Sequence, residues 1–143
     1  MIRTSLVIAL GLTATAAMAQ MSPVGLWQTV DDETGKVTSE VRIEERNGAI
    51  FGKIEKVTNP ADQDSICDKC GDDRKNKKVL GLEIIRDLKK ADGKDTWEGG
   101  TIVKPSTGQA FKASVTPIEG GKKLQVKGSF LFISKTQTWI RIQ

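Results

Sequence analysis

The 143 residues predict an all-β fold: eight antiparallel strands joined in order into an up-and-down barrel. Three observations carry that expectation. Short runs of alternating apolar and polar residues recur along the chain, turn residues such as Asn47-Gly48 and Asp92-Gly93 punctuate them, and after the first twenty residues no stretch keeps a helical period for three turns. Only one connection is long, so hairpin follows hairpin. For that reason a two-sheet β-sandwich is the second choice of architecture.

The start of the chain stands apart. Met1-Ile2-Arg3 supplies a positive charge, residues 6–17 an apolar run and Ala17-Met18-Ala19 a small-residue cleavage site. Residues 1–19 therefore read as a secretory signal peptide and residues 20–143 as one domain, expected in the periplasm or secreted. No Cys follows the cleavage site, so no lipid anchor is expected, nor any stable membrane insertion after cleavage. Cleavage would remove Arg3 and no acid, leaving 21 basic and 18 acidic side chains and a net charge of +3. That weak excess is far from the concentrated patch that nucleic-acid binding needs. The chain has no His and no Tyr, which excludes Ser-His and Cys-His nucleophiles and the usual metal nitrogen. A non-enzymatic protein without metal or cofactor is the expectation.

The strands follow in order. Residues 24–30 form the first run, where Gly25 lets another backbone approach beside the bulky Trp27. A polar turn at 31–35 leads to residues 37–45, with Val37, Val41 and Ile43 on one face. Asn47-Gly48 is the hairpin signal for a type I′ turn, in which both central residues need positive φ. Counting out from it through residues 49–57 sets Ile43 opposite Gly52 and Val41 opposite Ile54. A slip of one residue would mix these with Glu44 and Lys53.

Residues 79–88 and 96–103 form the next hairpin, about Asp92-Gly93. The same counting pairs Leu88 with Trp97, Ile84 with Thr101 and Leu82 with Val103, and turns Arg86 inward opposite Gly99. A guanidinium in that place either snorkels to water at a rim or hooks an anion inside a cavity. After the turn Lys104 to Gly108, residues 109–118 carry Phe111, Ala113 and Val115 inward. Glu119-Gly120-Gly121 turns the chain, and residues 122–129 return with Leu124, Val126 and Gly128 inward. Phe130 to Ile133 breaks the alternation and is expected as an apolar plug or loop at one end of the sheet. Residues 135–142, with Trp139 and Arg141, close the barrel against the first run and leave no free edge.

The long connection, residues 58–78, holds Cys67-Asp68-Lys69-Cys70. In an exported protein the default is a local disulfide, worth about 2 kcal/mol for so short a ring and serving to shape the loop. A redox Cys-x-x-Cys would need a helix N-terminus under its first Cys, and the flanking acids would raise the thiol pKa. Zinc would need Asp64 or Asp72 to complete its ligands, and calcium lacks the regular spacing. The acids Asp62, Asp64, Asp68, Asp72 and Asp73, followed by Arg74, Lys75, Lys77 and Lys78, read as a solvated loop whose halves attract each other.

Gly25-Leu26-Trp27, Cys67-x-x-Cys70-Gly71, Gly81-Leu82, Trp97-x-Gly99-Gly100-x-Ile102, Pro105-x-x-Gly108 and Thr136-Gln137-Thr138-Trp139-x-Arg141, in this order, resemble an exported bacterial family known as a domain of unknown function. The resemblance implies a lipocalin-like barrel that binds small hydrophobic molecules outside the cytoplasm. Lipocalins share a Gly-x-Trp on the first strand, crossed by an Arg from near the chain end. Trp27 and Arg141 match that pair, and a guanidinium over an indole face gains a cation-π contact. Lys104, Lys78 and Phe111 depart from the Asp, Pro and Tyr common in the family.

The expected function is the binding of a small hydrophobic or amphipathic ligand. Trp97, Leu82, Ile84, Ile54, Phe111 and Val115 would line the interior, Arg86 would anchor a polar group, and Gly52 and Gly99 would widen the lumen. Two rivals stand beside it: a structural or protein-interaction module with a solid core, and a thiol oxidoreductase working through Cys67 and Cys70.

Overall fold

Strands form where the alternation runs: β1 (Gly25–Val30), β2 (Val37–Arg46), β3 (Ala49–Val57), β4 (Glu83–Lys90), β5 (Trp97–Lys104), β6 (Gln109–Ile118), β7 (Lys123–Phe130) and β8 (Ile133–Arg141). The structure, a computed structural model, describes Gly11 and residues 21–143; the expected signal peptide lies outside the described residues, apart from Gly11. Each strand pairs antiparallel with the next, and β1 meets β8 through Trp27 opposite Arg141 and Gln28 opposite Ile140. The sheet closes on itself as one barrel, which rules out a sandwich. The β1–β2, β3–β4, β5–β6 and β7–β8 connections share one rim, and the other three turns and the C-terminus share the opposite one.

The β2–β3 hairpin has the expected register, with Ile43 opposite Gly52 and Val41 opposite Ile54. Asn47 (φ 52°) and Gly48 (φ 80°) adopt the left-handed geometry that the turn demands.

The β4–β5 hairpin departs from expectation. Ala91 donates to the Thr96 carbonyl at 2.8 Å, so the turn spans four residues rather than two. The register moves by two, pairing Ile85 with Ile102, Arg86 with Thr101 and Lys90 with Trp97. The β3–β4 register also shifts between Gly52 and Lys53, so that Ile84 and Ile85 together oppose Gly52. Such a bulge re-aims the side chains after it. Ile84 and Ile85 are both buried, and Arg86, expected inward opposite Gly99, is turned out of the barrel. Gly52 does not widen the lumen either. A Cβ there would lie 3.2 Å from Ile85 and Val41 carbons, so the missing side chain is the space Ile85 fills, and Gly99 is exposed at a break in the β5–β6 register and does not widen the lumen. The strand itself begins at Glu83 rather than Val79, because Gly81 takes φ 89°.

Phe130 to Ile133 is no plug. Leu131 (φ 53°) and Phe132 form the β7–β8 turn, 82% and 104% exposed, with Phe130 and Ile133 exposed beside them. The alternation breaks there because the residues cap a hairpin in solvent.

The long β3–β4 connection folds back on itself. Ile66 bridges Lys78, Cys67 donates to Lys77 and Val79 to Ser65, and the Cys67–Cys70 disulfide lies fully buried in the hydrophobic core with Leu82 and Val103. A one-turn 3₁₀ helix, Pro60–Asp62, starts it, capped by the Asn59 side chain accepting from Ala61.

Candidate functional site

The two ends of the barrel are built differently. At the rim holding the chain terminus, Trp27 is wholly buried and donates its indole N–H to the Pro23 carbonyl at 2.8 Å. The Arg141 guanidinium lies 4.2 Å above the Trp27 ring and donates to the carbonyls of Gly121 (2.6 Å), Val24 (2.8 Å) and Ser22. Burial lowers the Arg141 pKa, yet a guanidinium stays charged in any protein environment. Gly25 makes this approach possible, since a Cβ there would overlap the Gln143 carbonyl and the guanidinium. This end is sealed.

The other end opens into a cavity of about 470 Å³. Most of its wall is apolar, with Ile54, Ile84, Ile102, Phe111, Val126 and Trp139 among the lining residues. Gly128 keeps it open beside Phe111, where a Cβ would stand 3.4 Å from the Phe111 Cβ. Polar residues share the lining: Thr29, Thr38, Ser39 and Lys104 near the open-rim ends of β1, β2 and β5, and Lys135 and Gln137 on β8, with Gln137 level with Val126. Thr29 is buried but satisfied, its hydroxyl 2.8 Å from that of Thr38 and 2.6 Å from that of Ser39. Trp139 donates to Gln137 at 3.2 Å. A largely apolar cavity with hydroxyl-bearing residues and two lysines in its lining suits a molecule with an apolar body and an anionic or polar head.

Of the residues expected to line the interior, Ile54, Ile84 and Phe111 border this cavity. Val115 and Trp97 lie lower in the barrel, opposite each other across β5–β6, in or against the packed core. Leu82 precedes β4 and belongs to that same core. Arg86 is outside the cavity lining, with its guanidinium held by Asp73 (2.8 and 3.0 Å) and by Glu83 (2.7 Å). Those partners raise the Arg86 pKa, Asp73 first, and Arg86 in turn holds the Asp73 carboxyl below its ordinary value. Asp72 is lowered further, above all by the Arg74 side chain donating at 2.6 Å; Arg74 is itself buried and also donates to the Glu83 carbonyl. Arg86 and Arg74 thus tie the cysteine connection to the outside of β4. No group of three or more Cys, Asp or Glu side chains among the described residues is placed to hold a metal ion.

Sequence reasoning missed Trp139, Gln137 and Lys135, and with them Ile133 at the mouth. They are alternate positions of one strand, so period-two counting back from Trp139 finds them once it is known that Trp139 faces inward.

A family model described as "Uncharacterized protein conserved in bacteria (DUF2147)" matches residues 25–141. The chain belongs to this family. The DUF2147 match runs from Gly25 to Arg141, the two residues that meet at the sealed end. No curated protein matches the chain. Among solved structures it is similar to protein HP1028 of the human pathogen Helicobacter pylori, described as belonging to the lipocalin family, with 22% identity, a TM-score of 0.71, and coverage of 84% of this chain and 82% of that one. At that identity the likeness shows a shared fold: a closed, lipocalin-like, eight-stranded barrel.

Proposed function

We propose that this barrel binds one small amphipathic molecule outside the cytoplasm, its apolar part in the pit and an anionic or polar head among Lys104, Lys135, Thr38 and Ser39, and that it does no chemistry on it. The observation that carries the reading is the mixed lining of the 470 Å³ cavity, a mainly apolar wall that also holds hydroxyl-bearing residues and two lysines. A volume in this range is typical of small-molecule sites, and a few polar groups at one end fix a ligand's orientation. Arg86 is not the anchor in this reading, because Asp73 and Glu83 already occupy its donors. Lys135 and Lys104 take that role. The fold shared with a lipocalin-family protein supports a binding role. Placement in the periplasm or outside the cell rests on the signal-like leader and on a disulfide of the kind that persists in oxidising compartments.

The cysteines are read as a staple. Both are buried, and no helix follows Cys67 to stabilise a thiolate. Insulin reduction by the parent protein, lost on Cys67→Ser, would reverse that assignment.

The binding test uses the full chain, purified without detergent. Mass spectrometry of extracted lipid should find a co-purifying amphiphile, and a doxyl-labelled fatty acid should quench Trp139 fluorescence. Trp139→Phe should remove most of the quenching, and a long-chain amine should compete poorly against the fatty acid. Clean protein with no quenching at saturating fatty acid would end the proposal.

A further inference from the structure

The β7–β8 hairpin tip presents Phe130, Leu131, Phe132 and Ile133 to solvent, with Phe132 fully exposed. Four consecutive large apolar side chains at a projecting turn are not the scattered exposure common on protein surfaces, and such a cluster marks a contact site. On the three strands nearest it, β6, β7 and β8, the charge is one-sided, with Lys112, Lys123, Lys127, Lys135 and Arg141 and no acid. From Gly99 to the C-terminus the chain has seven Lys and Arg and a single acid, Glu119, whereas residues 21–98 hold fourteen basic against seventeen acidic. Glu119 lies at the opposite rim, where it pairs with Lys123 at 3.1 Å. Lys112, Lys127 and Lys135 are exposed on the strands that lead into the tip, where Lys112 pairs with Ser129, Gly128 with Lys135 and Lys127 with Thr136. Among the described residues none of the three is in an ion pair. The rim as a whole is mixed: the acidic β1–β2 turn, Asp31 to Glu33, follows the strand that pairs with β8, and the β3–β4 connection adds Asp62, Asp64, Asp68, Asp72 and Asp73 against Lys69, Arg74, Lys75, Lys77 and Lys78.

We propose that this tip, with Lys112, Lys127 and Lys135 behind it, docks the β6–β8 side of the open end on an anionic phospholipid surface. An apolar finger backed by ammonium groups matches the two layers of such a surface, the acyl boundary below and the phosphate plane above. A second copy of this chain fits worse, because a symmetric contact through the tip would bring like lysine clusters together. Docking stands apart from the cavity reading. Ile133 and Lys135 also border the cavity mouth, so a docked barrel would hold that mouth at the membrane.

The test is flotation of the full chain with vesicles of phosphatidylglycerol and phosphatidylcholine, compared with phosphatidylcholine alone. The parent should float with the anionic vesicles and be released by high salt. Leu131→Asn with Phe132→Ser should cut the bound fraction at least tenfold; Asn tolerates the left-handed backbone at position 131. Lys112→Gln with Lys127→Gln should weaken flotation severalfold and remove the preference for anionic vesicles. Circular dichroism and fatty-acid quenching without vesicles should be unchanged in both variants, since none of the four residues borders the cavity. Quenching without flotation would overturn the docking and leave the cavity reading intact. Flotation of the tip variant equal to the parent, or a parent dimer that the tip substitution dissociates without any flotation, would overturn it too.

Discussion

The sealed rim and the open rim of this barrel are made from the same eight strands, yet they handle buried volume in opposite ways. At the sealed end Trp27 fills the interior, and Arg141 covers it while donating to backbone carbonyls of the segment before β1, the β6–β7 turn and the chain terminus. Nothing polar is left wanting, and the end becomes an anchor for the chain terminus. At the open end Gly128 withholds a side chain, Thr, Ser and Lys residues join the cavity lining, and apolar residues cap the neighbouring hairpin in solvent. Stability is concentrated at one end so that the other is free to present a cavity and a surface.

The comparison breaks first, if it breaks, at Trp27. Trp27→Ala removes a wholly buried ring and the platform under Arg141, so a loss of about 3–5 kcal/mol in denaturant unfolding is expected. Next comes the staple: Cys67→Ser with Cys70→Ser should cost about 2 kcal/mol. Hydrogen exchange should show that loss confined to residues 58–82 and the open rim, with the strands around Trp27 still protected. Gly128→Val, at a position with no positive φ, should fill the pit and weaken fatty-acid binding at least tenfold while leaving the melting temperature nearly unchanged.

Phe111→Ala sharpens the contrast most directly. The same kind of aromatic deletion at the open end should cost only about 1 kcal/mol, because Phe111 already faces a void and lacks the contacts that make core truncations expensive. A cost equal to that of Trp27→Ala would erase the distinction between the ends. The smallest effect belongs to Arg86→Gln, about 0–1 kcal/mol for a partly exposed ion pair. Its signature is in the pH dependence. The Asp72 and Asp73 carboxyls are held below their ordinary values by Arg74 and Arg86, so their contribution is complete at neutral pH and is lost as pH falls below about 4. A urea series across the acid range should show that limb, and Arg86→Gln should remove the Asp73 part of it while the Asp72 part, held mainly by Arg74, persists.

How far the fold could be read depended on whether its signals were local. The β2–β3 hairpin was legible to the residue because Asn47-Gly48 admits one turn geometry, and the apolar sets on its two strands coincide in one register. β4 was not. Its phase is reset where Ile84 and Ile85 share one partner, and broken again at Asp87, a non-glycine residue at φ 61°. Neither feature leaves a mark in the residues themselves, and counting straight through them put Arg86 inside. In β8 the difficulty was of another kind. Lys135 and Gln137 are polar and yet line the cavity, so an apolar-inward reading could not find them.

Alternation, turn chemistry and the tryptophans at the two ends of the chain were enough to establish that there would be eight strands, in what order they pair, and that the first meets the last. Those are relations between a residue and its near neighbours, or between strands that have only one way to avoid an open edge. Depth was decided elsewhere. Which side chains meet at the same height, whether they fill the space or leave 470 Å³ of it, and whether an apolar turn folds in or stands in water depend on what eight separate strands bring to one level. No segment contains that information, because packing volume is a property of the assembled barrel.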